Sequence, residues 1–309
     1  MERTGREESL GQVENLREYL AIKELHEEKG YGVTKMCVFL HVSRTAYYRW
    51  LKHPHSQREL DNEKLAKIIR KIHDKHPDMG YRRIRDELDR NYDQDVNDKR
   101  VLRICRYEHI RSTIDNQPKS LTKRANQPFY SAKNILNRKF YAEAPNTKWC
   151  TDISEFAYYQ GKTKHRVYLS AIIDLYDRRI VSYKISDYND LQLVMDTLEQ
   201  AVKANPGVHP LFHSDRGTQY TSKQFHTRLT ELGMTQSMSR VGKCIDNGPI
   251  EGFWGTIKRE KYYRRSFNER DEVTEMIDNY IDYYNNDRFQ RTLNVFTPIE
   301  YHNHFYEAA

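Results

Sequence analysis

No apolar run in the 309 residues approaches the roughly 20 needed to span a bilayer. The first residues, Met1 to Glu8, are too polar for a secretory signal. Cysteine is scarce: Cys37, Cys105, Cys150 and Cys244 are widely scattered and form no CxxC pair. That argues against a thiolate zinc site and against a disulfide framework, and it predicts a reducing, cytoplasmic setting with no membrane partner. Neither a solenoid-type repeat nor a heptad seam is evident. What is present is charge: Asp, Glu, Lys and Arg make up 31% of the chain, so much of the surface is solvated or faces a ligand.

The charge is unevenly placed. Residues 1–148 hold 31 basic against 22 acidic side chains, and residues 149–309 hold 20 against 22, which together give the net +7. A basic first half suits a polyanion, because Lys and Arg contacts to phosphate supply most non-specific DNA affinity. A solvated basic surface with no ligand is the plain alternative.

The first half reads as helices. Residues 14–29 carry Leu and Ile at helical spacing and stop before Gly30 and Gly32. Val33–Leu40 is a short helix, His41-Val42 a turn, and Ser43 caps a third helix, Arg44–Leu51. This is the pattern of a helix-turn-helix, whose second helix enters the major groove, so Arg44, Tyr48 and Arg49 are candidate DNA contacts. His41 stands where many such turns carry Gly. A second unit follows: Leu60–His73, then Tyr81–Leu88 with Arg82 and Arg83 as further candidates, then Lys99–Arg106 capped by Asn97 or Asp98. Residues 112–147, rich in Asn, Gln, Pro, Ser and Lys, read as a linker.

From Lys148 the pattern changes to strands: Trp149–Tyr159, His165–Asp174 and Ile180–Ile185. Helix Leu191–Ala204, a strand ending at Asp215, helix Ser222–Leu232 and strand Thr235–Ser239 follow. After a loop, Arg240–Gly248, comes a helix carrying Glu251, and Arg270–Asn286 is an amphipathic tail helix. The expected fold is a mixed α/β sheet with helices on its faces, preceded by an all-α region.

Three acids stand at element ends in this half. Asp152 closes Trp149-Cys150-Thr151, Asp215 closes an apolar run, and Glu251 follows it after 35 residues in the first turn of a helix. An acid at a strand end is usually a turn-former. Three in this order point instead to phosphoryl transfer, in which two divalent ions about 4 Å apart activate the attacking oxygen and stabilise the leaving one. Hard cations such as Mg²⁺ or Mn²⁺ take carboxylate oxygens. Without metal such a cluster repels itself and one acid takes up a proton. Asp152, Asp215 and Glu251 are therefore the candidate catalytic and metal-binding residues.

Asp246 is the rival acid, expected to cap or shape a mobile loop, and Asp174 and Asp177 are expected to cap a turn. His213 shares a strand face with Asp215 and could touch a phosphate or merely pack. Lys258 lies seven residues after Glu251, nearly two helical turns, so it falls on the same face and is a candidate phosphate contact. An exposed helical Lys is more often simply solvated. Arg240 and Asn247 are further DNA candidates, with Lys243, Arg264, Arg265 and Tyr220 behind them.

At these residues the chain resembles the transposases of bacterial insertion sequences of the IS-three family, second-frame product. The matching segments are Trp149–Ile153, His213–Ser222, Ser237–Arg240, Asp246–Glu251, Tyr283-Tyr284-Asn285, Arg288 and Thr297-Pro298, with Gly80–Ile84 upstream. The resemblance implies an RNase H-like core like that of retroviral integrases and the acid triad Asp152, Asp215 and Glu251. It implies an enzyme that nicks one element end, frees a 3′-hydroxyl, joins it to the same strand at the other end, and later inserts the circular product into target DNA. No covalent protein–DNA bond is involved. The chain departs from the commoner pattern at Gly252, often Ser, at Trp254, often Phe, and at Gln290, often His. None of the three is expected to touch the triad. The HHCC zinc module of retroviral integrases is not visible.

The expected organisation is a helix-turn-helix domain (1–56), a second helix-turn-helix-like domain (57–115), a linker (116–147), an RNase H-like integrase catalytic core (148–265) and a helical extension (266–309). The expected function is DDE transposase: binding of the terminal inverted repeats, metal-dependent cleavage and strand transfer with two Mg²⁺ or Mn²⁺ ions. Expected partners are double-stranded element-end and target DNA, further copies of the chain on that DNA, and an upstream-frame protein or fusion. The expected place is the nucleoid of a bacterial cytoplasm. Two alternatives stand: a non-transposing nuclease on the same core, against which the basic helical half weighs, and a DNA-binding regulator with a dead core, against which the intact triad weighs.

Overall fold

A computed structural model describes residues 15–52, 57–114, 130–263 and 265–307. Two compact units result, divided between Ile114 and Asp115. Residues 1–14 of the expected first domain, residues 116–129 of the expected linker, and Arg264 lie outside the described residues. No helix among the described residues is long and apolar enough to cross a membrane.

The first unit is helical. Helix α1 (Leu16–Lys29) ends at Gly30, whose φ of 66° is the left-handed conformation that a glycine adopts without cost. Helix α2 (Val33–Phe39) and helix α3 (Arg44–Lys52) flank a turn in which His41 has φ 53°, so a side chain occupies the left-handed position usually given to Gly. Ser43 caps α3 through Ala46 N–H. Tyr19, Ile22, Val33, Cys37, Tyr47 and Trp50 form the core of these three helices. Helices α4 (Gln57–Lys75), α5 (Tyr81–Tyr92) and α6 (Asp98–Tyr107) enclose a second core of Leu65, Ile69, Ile72, Ile84, Leu88, Val101 and Ile104. Asn97 caps α6, accepting from Arg100 N–H at 2.8 Å.

The second unit is built on one five-stranded sheet. Strands β1 (Lys148–Gln160), β2 (Thr163–Asp174) and β3 (Ile180–Ser186) form an antiparallel meander. Strands β4 (Leu211–Ser214) and β5 (Thr235–Met238) join it in parallel, giving the order β3-β2-β1-β4-β5. Helices α7 (Leu191–Ala204) and α8 (Lys223–Glu231) are the crossovers. They pack with Trp149, Ile172 and Phe212 on one face of the sheet. Helices α9 (Gly248–Ile257) and α10 (Arg270–Asn286) pack with Cys150, Phe156, Ala171 and Ile173 on the other. This is the RNase H-like arrangement expected from the sequence.

Alternation along β1 decides which way the first acid faces. Trp149 and Ile153 belong to the α7–α8 side, Cys150 and Phe156 to the α9–α10 side. Asp152 therefore faces α9.

The stretch read as a linker is corrected in part. Ala132, Leu136 and Ala142 are buried in the core, and Ile135 and Leu136 donate backbone N–H bonds to Ser237 Oγ at 3.0 and 3.1 Å. Small apolar residues on an irregular path produce no periodicity, so sequence patterning missed them. A final helix, α11 (Pro298–Glu307), supplies His302, whose Nδ1 lies 2.7 Å from Asp177 Oδ2. Asp174 and Asp177 hold the β2–β3 turn as expected: they accept from the backbone N–H of Tyr176 and of Arg179, at 2.7 and 2.9 Å.

Candidate active site

The parallel pairing of β1 with β4 puts Cys150 opposite His213. Two residues further along each strand stand Asp152 and Asp215, so the register brings both carboxylates to the same edge. Asp215 follows the last residue of β4, where its Oδ1 accepts the Gly217 N–H at 2.8 Å. A Cβ on residue 217 would stand 3.1 Å from that oxygen, so a larger residue there would press on the Asp215 carboxylate. Glu251 sits in the first turn of α9, which Pro249 helps to start.

The three acids influence one another. Burial pushes Asp152 up to about 8, and the charges of Asp215 and Glu251 push the same way. Burial raises Asp215 as well, and burial with the Asp215 charge raises Glu251. All three keep part of their surface open to solvent. Among the described residues no three His, Cys, Asp or Glu side chains stand close enough together to hold an ion as they are placed. Hard oxygen donors on three separate elements, each disfavoured as a lone anion, nonetheless match what a divalent cation binds.

Trp254, one turn after Glu251 on α9, donates its indole N–H to Asp152 Oδ2 at 3.0 Å. This corrects the expectation that the departures from the family pattern leave the triad untouched. An aromatic in an apolar helix reads as core from sequence, and Trp254 is indeed buried; the polar edge of its ring carries the second role.

His213 packs rather than reaching out. It is fully buried between Ser237 Oγ (2.8 Å) and Ser239 Oγ (3.2 Å), and burial lowers it to about 4. Tyr220 is also buried, its hydroxyl 3.3 Å from Thr151 Oγ1, which removes it as a DNA contact. The charges of Asp152 and Asp215 help burial to raise its phenol.

Asp246 is a clamp. Its buried carboxylate accepts five hydrogen bonds: Arg240 N, Nε and Nη2, Arg138 Nε, and Asn134 Nδ2. The Arg240 guanidinium foremost holds it well below the usual carboxylate range. The loop expected to be mobile is thus tied to residues 134–138, and Arg240 spends its guanidinium on Asp246. Asn247, a candidate DNA contact, is corrected: it is buried and donates Nδ2 to the Thr151 carbonyl at 2.9 Å, bracing β1 beside Asp152.

Lys258 begins a π-helical turn, Lys258–Tyr262, that continues α9. It is half-buried, with Nζ 5.0 Å from the centre of the Phe156 ring. Burial lowers it, while the charges of Glu155 and Asp152 oppose that fall. A cation here lies within electrostatic reach of the acid site.

In the helical unit Arg44, Tyr48 and Arg49 are exposed along α3, on the side away from buried Tyr47 and Trp50. Arg82 is exposed above the Tyr81 ring, 5.2 Å from its centre. Arg83 is largely buried and pairs with Asp78 at 2.9 Å, so its guanidinium serves the fold of α5.

Comparison with known proteins adds a family context. Models of an integrase core domain match residues 142–244 and 232–298, and one of an HTH-like domain matches residues 59–118. The InsK protein of insertion sequence element IS150 in Escherichia coli (strain K12) is 37% identical over 249 residues, 79% of this chain and 86% of that one. The transposase InsF of insertion sequence IS3A in the same organism is 28% identical over 267 residues, covering 84% and 89%. Among solved structures, the HTLV-2 integrase catalytic core domain in complex with magnesium is similar over 52% of this chain and 98% of its own, at 19% identity and a TM-score of 0.42.

Proposed function

The chain belongs to the insertion-sequence transposases built on an integrase core, and we propose that Asp152, Asp215 and Glu251 hold the divalent metal with which it cuts and joins DNA. It is a polynucleotidyl transferase acting in DNA transposition and integration. The observation that carries the site assignment is the level placement of Asp152 on β1 and of Asp215 just past the end of β4, with Glu251 close enough to raise Asp152.

Integrase-core enzymes depend on a divalent metal. Two Mg²⁺ or Mn²⁺ ions, when bound, would activate the attacking oxygen and stabilise the departing one. The protein's part is to hold three carboxylates from a central strand, a strand end and a helix start in one fixed arrangement. Lys258 offers a cation beside that site for a phosphate of the bound strand. In the joining step the 3′-hydroxyl oxygen bonds to phosphorus and loses its proton, and the bond to the bridging 3′-oxygen of the target strand breaks, leaving a new 3′-hydroxyl. One phosphodiester replaces another, so no outside energy source or covalent protein intermediate is required.

We assign recognition of the terminal inverted repeats to residues 1–56 and 57–115, with Arg44, Tyr48, Arg49 and Arg82 as contacts. Residues 148–265 and 266–309 form the catalytic body. Two ends must be held together during joining, so the working form is a multimer on DNA, alone or fused to the product of an upstream frame, at the bacterial nucleoid.

The test mixes the purified chain, Mg²⁺, a labelled element end bearing a free 3′-hydroxyl, and target DNA. Joined products are expected. Hydrolysed fragments alone would identify a nuclease instead.

A further inference from the structure

We propose that Trp254 is a positioning residue for Asp152: its indole N–H fixes the carboxylate in the orientation that receives the metal. The inference rests on the metal-site reading above. It starts from one bond, Trp254 Nε1–H to Asp152 Oδ2 at 3.0 Å. Indole nitrogen only donates, so the direction of the bond is certain. The Ile153 backbone N–H also acts on the carboxylate, and the two oxygens still have lone pairs to offer an ion.

The terminal torsion of an aspartate is soft, so a half-open carboxylate without a partner samples many orientations. A donor on one oxygen removes that freedom before an ion arrives, as partners behind metal ligands do generally. Trp254 is well placed for the task. It is 7% exposed, and its ring lies 5.1 Å from that of Phe253 within the core shared by α9 and α10. A ring so packed cannot follow a wandering carboxylate; it holds the carboxylate to itself.

The same helix also supplies Glu251, one turn earlier. One rigid element therefore delivers both a ligand and the group that orients another ligand across the sheet. Phenylalanine at this position would fill most of the volume and donate nothing. The chain thus carries a specific hydrogen bond where a purely apolar ring would satisfy the packing.

Mn²⁺ binding to the full chain, measured calorimetrically without DNA, separates the outcomes. Trp254→Phe should keep its unfolding midpoint within a few degrees and bind Mn²⁺ roughly tenfold more weakly. Wild-type affinity in a folded Trp254→Phe variant overturns the proposal and leaves the metal site standing. If the wild type itself binds no Mn²⁺, the metal reading fails and this inference with it. Should Trp254→Phe not fold, the indole N–H resonances of the wild type decide. One of the three should shift in Asp152→Ala, because the acceptor is gone; three unmoved resonances overturn the proposal.

Discussion

Asp152 and Asp215 stand level with each other two residues past the last paired position of adjacent parallel strands, Cys150 opposite His213. Replacing either by Asn, or Glu251 by Gln, should reduce strand joining at least about a thousandfold, on the order of 4 kcal/mol of barrier. End-binding should persist. The fold should not suffer, because a carboxyl whose folded pKa is raised to about 8 weakens the metal-free fold as pH rises from its unfolded value near 4. Asp152→Asn should therefore unfold no earlier than the wild type at pH 8 without metal. An earlier midpoint would show that Asp152 stabilises the fold.

Asp246 should behave oppositely. Asp246→Asn leaves Arg240 and Arg138 without their anion and should lower the unfolding midpoint, on the order of 5 °C. Mn²⁺ affinity of the folded fraction should stay near that of the wild type. Loss of Mn²⁺ binding with an unchanged midpoint would make Asp246 a ligand.

The helical unit separates two kinds of arginine. Arg44→Ala and Arg49→Ala should each weaken end-binding and reduce the salt slope by about 1, since a phosphate contact is lost. Arg83→Ala removes the partner of Asp78 and should lower the thermal midpoint with the slope unchanged. Salt titrations of end-binding and melting curves distinguish them. An unaltered slope in both Arg44→Ala and Arg49→Ala would move recognition elsewhere.

His213 gives a pH dependence. The unfolded imidazole takes up a proton near pH 6.5, while burial keeps the folded one neutral down to about 4. Between those values the unfolded chain binds more protons, so stability is complete above 6.5 and lost as pH falls towards 4. From pH 7 to pH 5 the loss should be on the order of 2 kcal/mol. Urea midpoints of His213→Gln should fall less over that range. An equal fall in wild type and variant would assign the acid sensitivity to other groups.

The sequence by itself determined the element types, the sheet and the three acids. Period and capping are local properties: Ser43 and Asn97 cap the helices they precede, and Asp215 closes the apolar run that becomes β4, whereas Asp152 lies inside β1, which runs on to Gln160. It also flagged His41 as an odd turn residue, and the turn does carry a positive φ there.

Only the tertiary structure decided what each polar side chain does. Asn247, Arg83 and Arg240 looked like DNA contacts because exposure and partners are not written in spacing. Asp246 is held by Asn134 and Arg138, which lie 112 and 108 positions before it in the chain. Trp254 stood in the sequence only as a departure from the family pattern, and strand alternation turned Asp152 towards α9 and brought the indole N–H to it. A hydrogen bond needs about 3 Å between partners. Whether residues distant in sequence reach that distance depends on how β1, β4 and α9 pack, not on any local pattern.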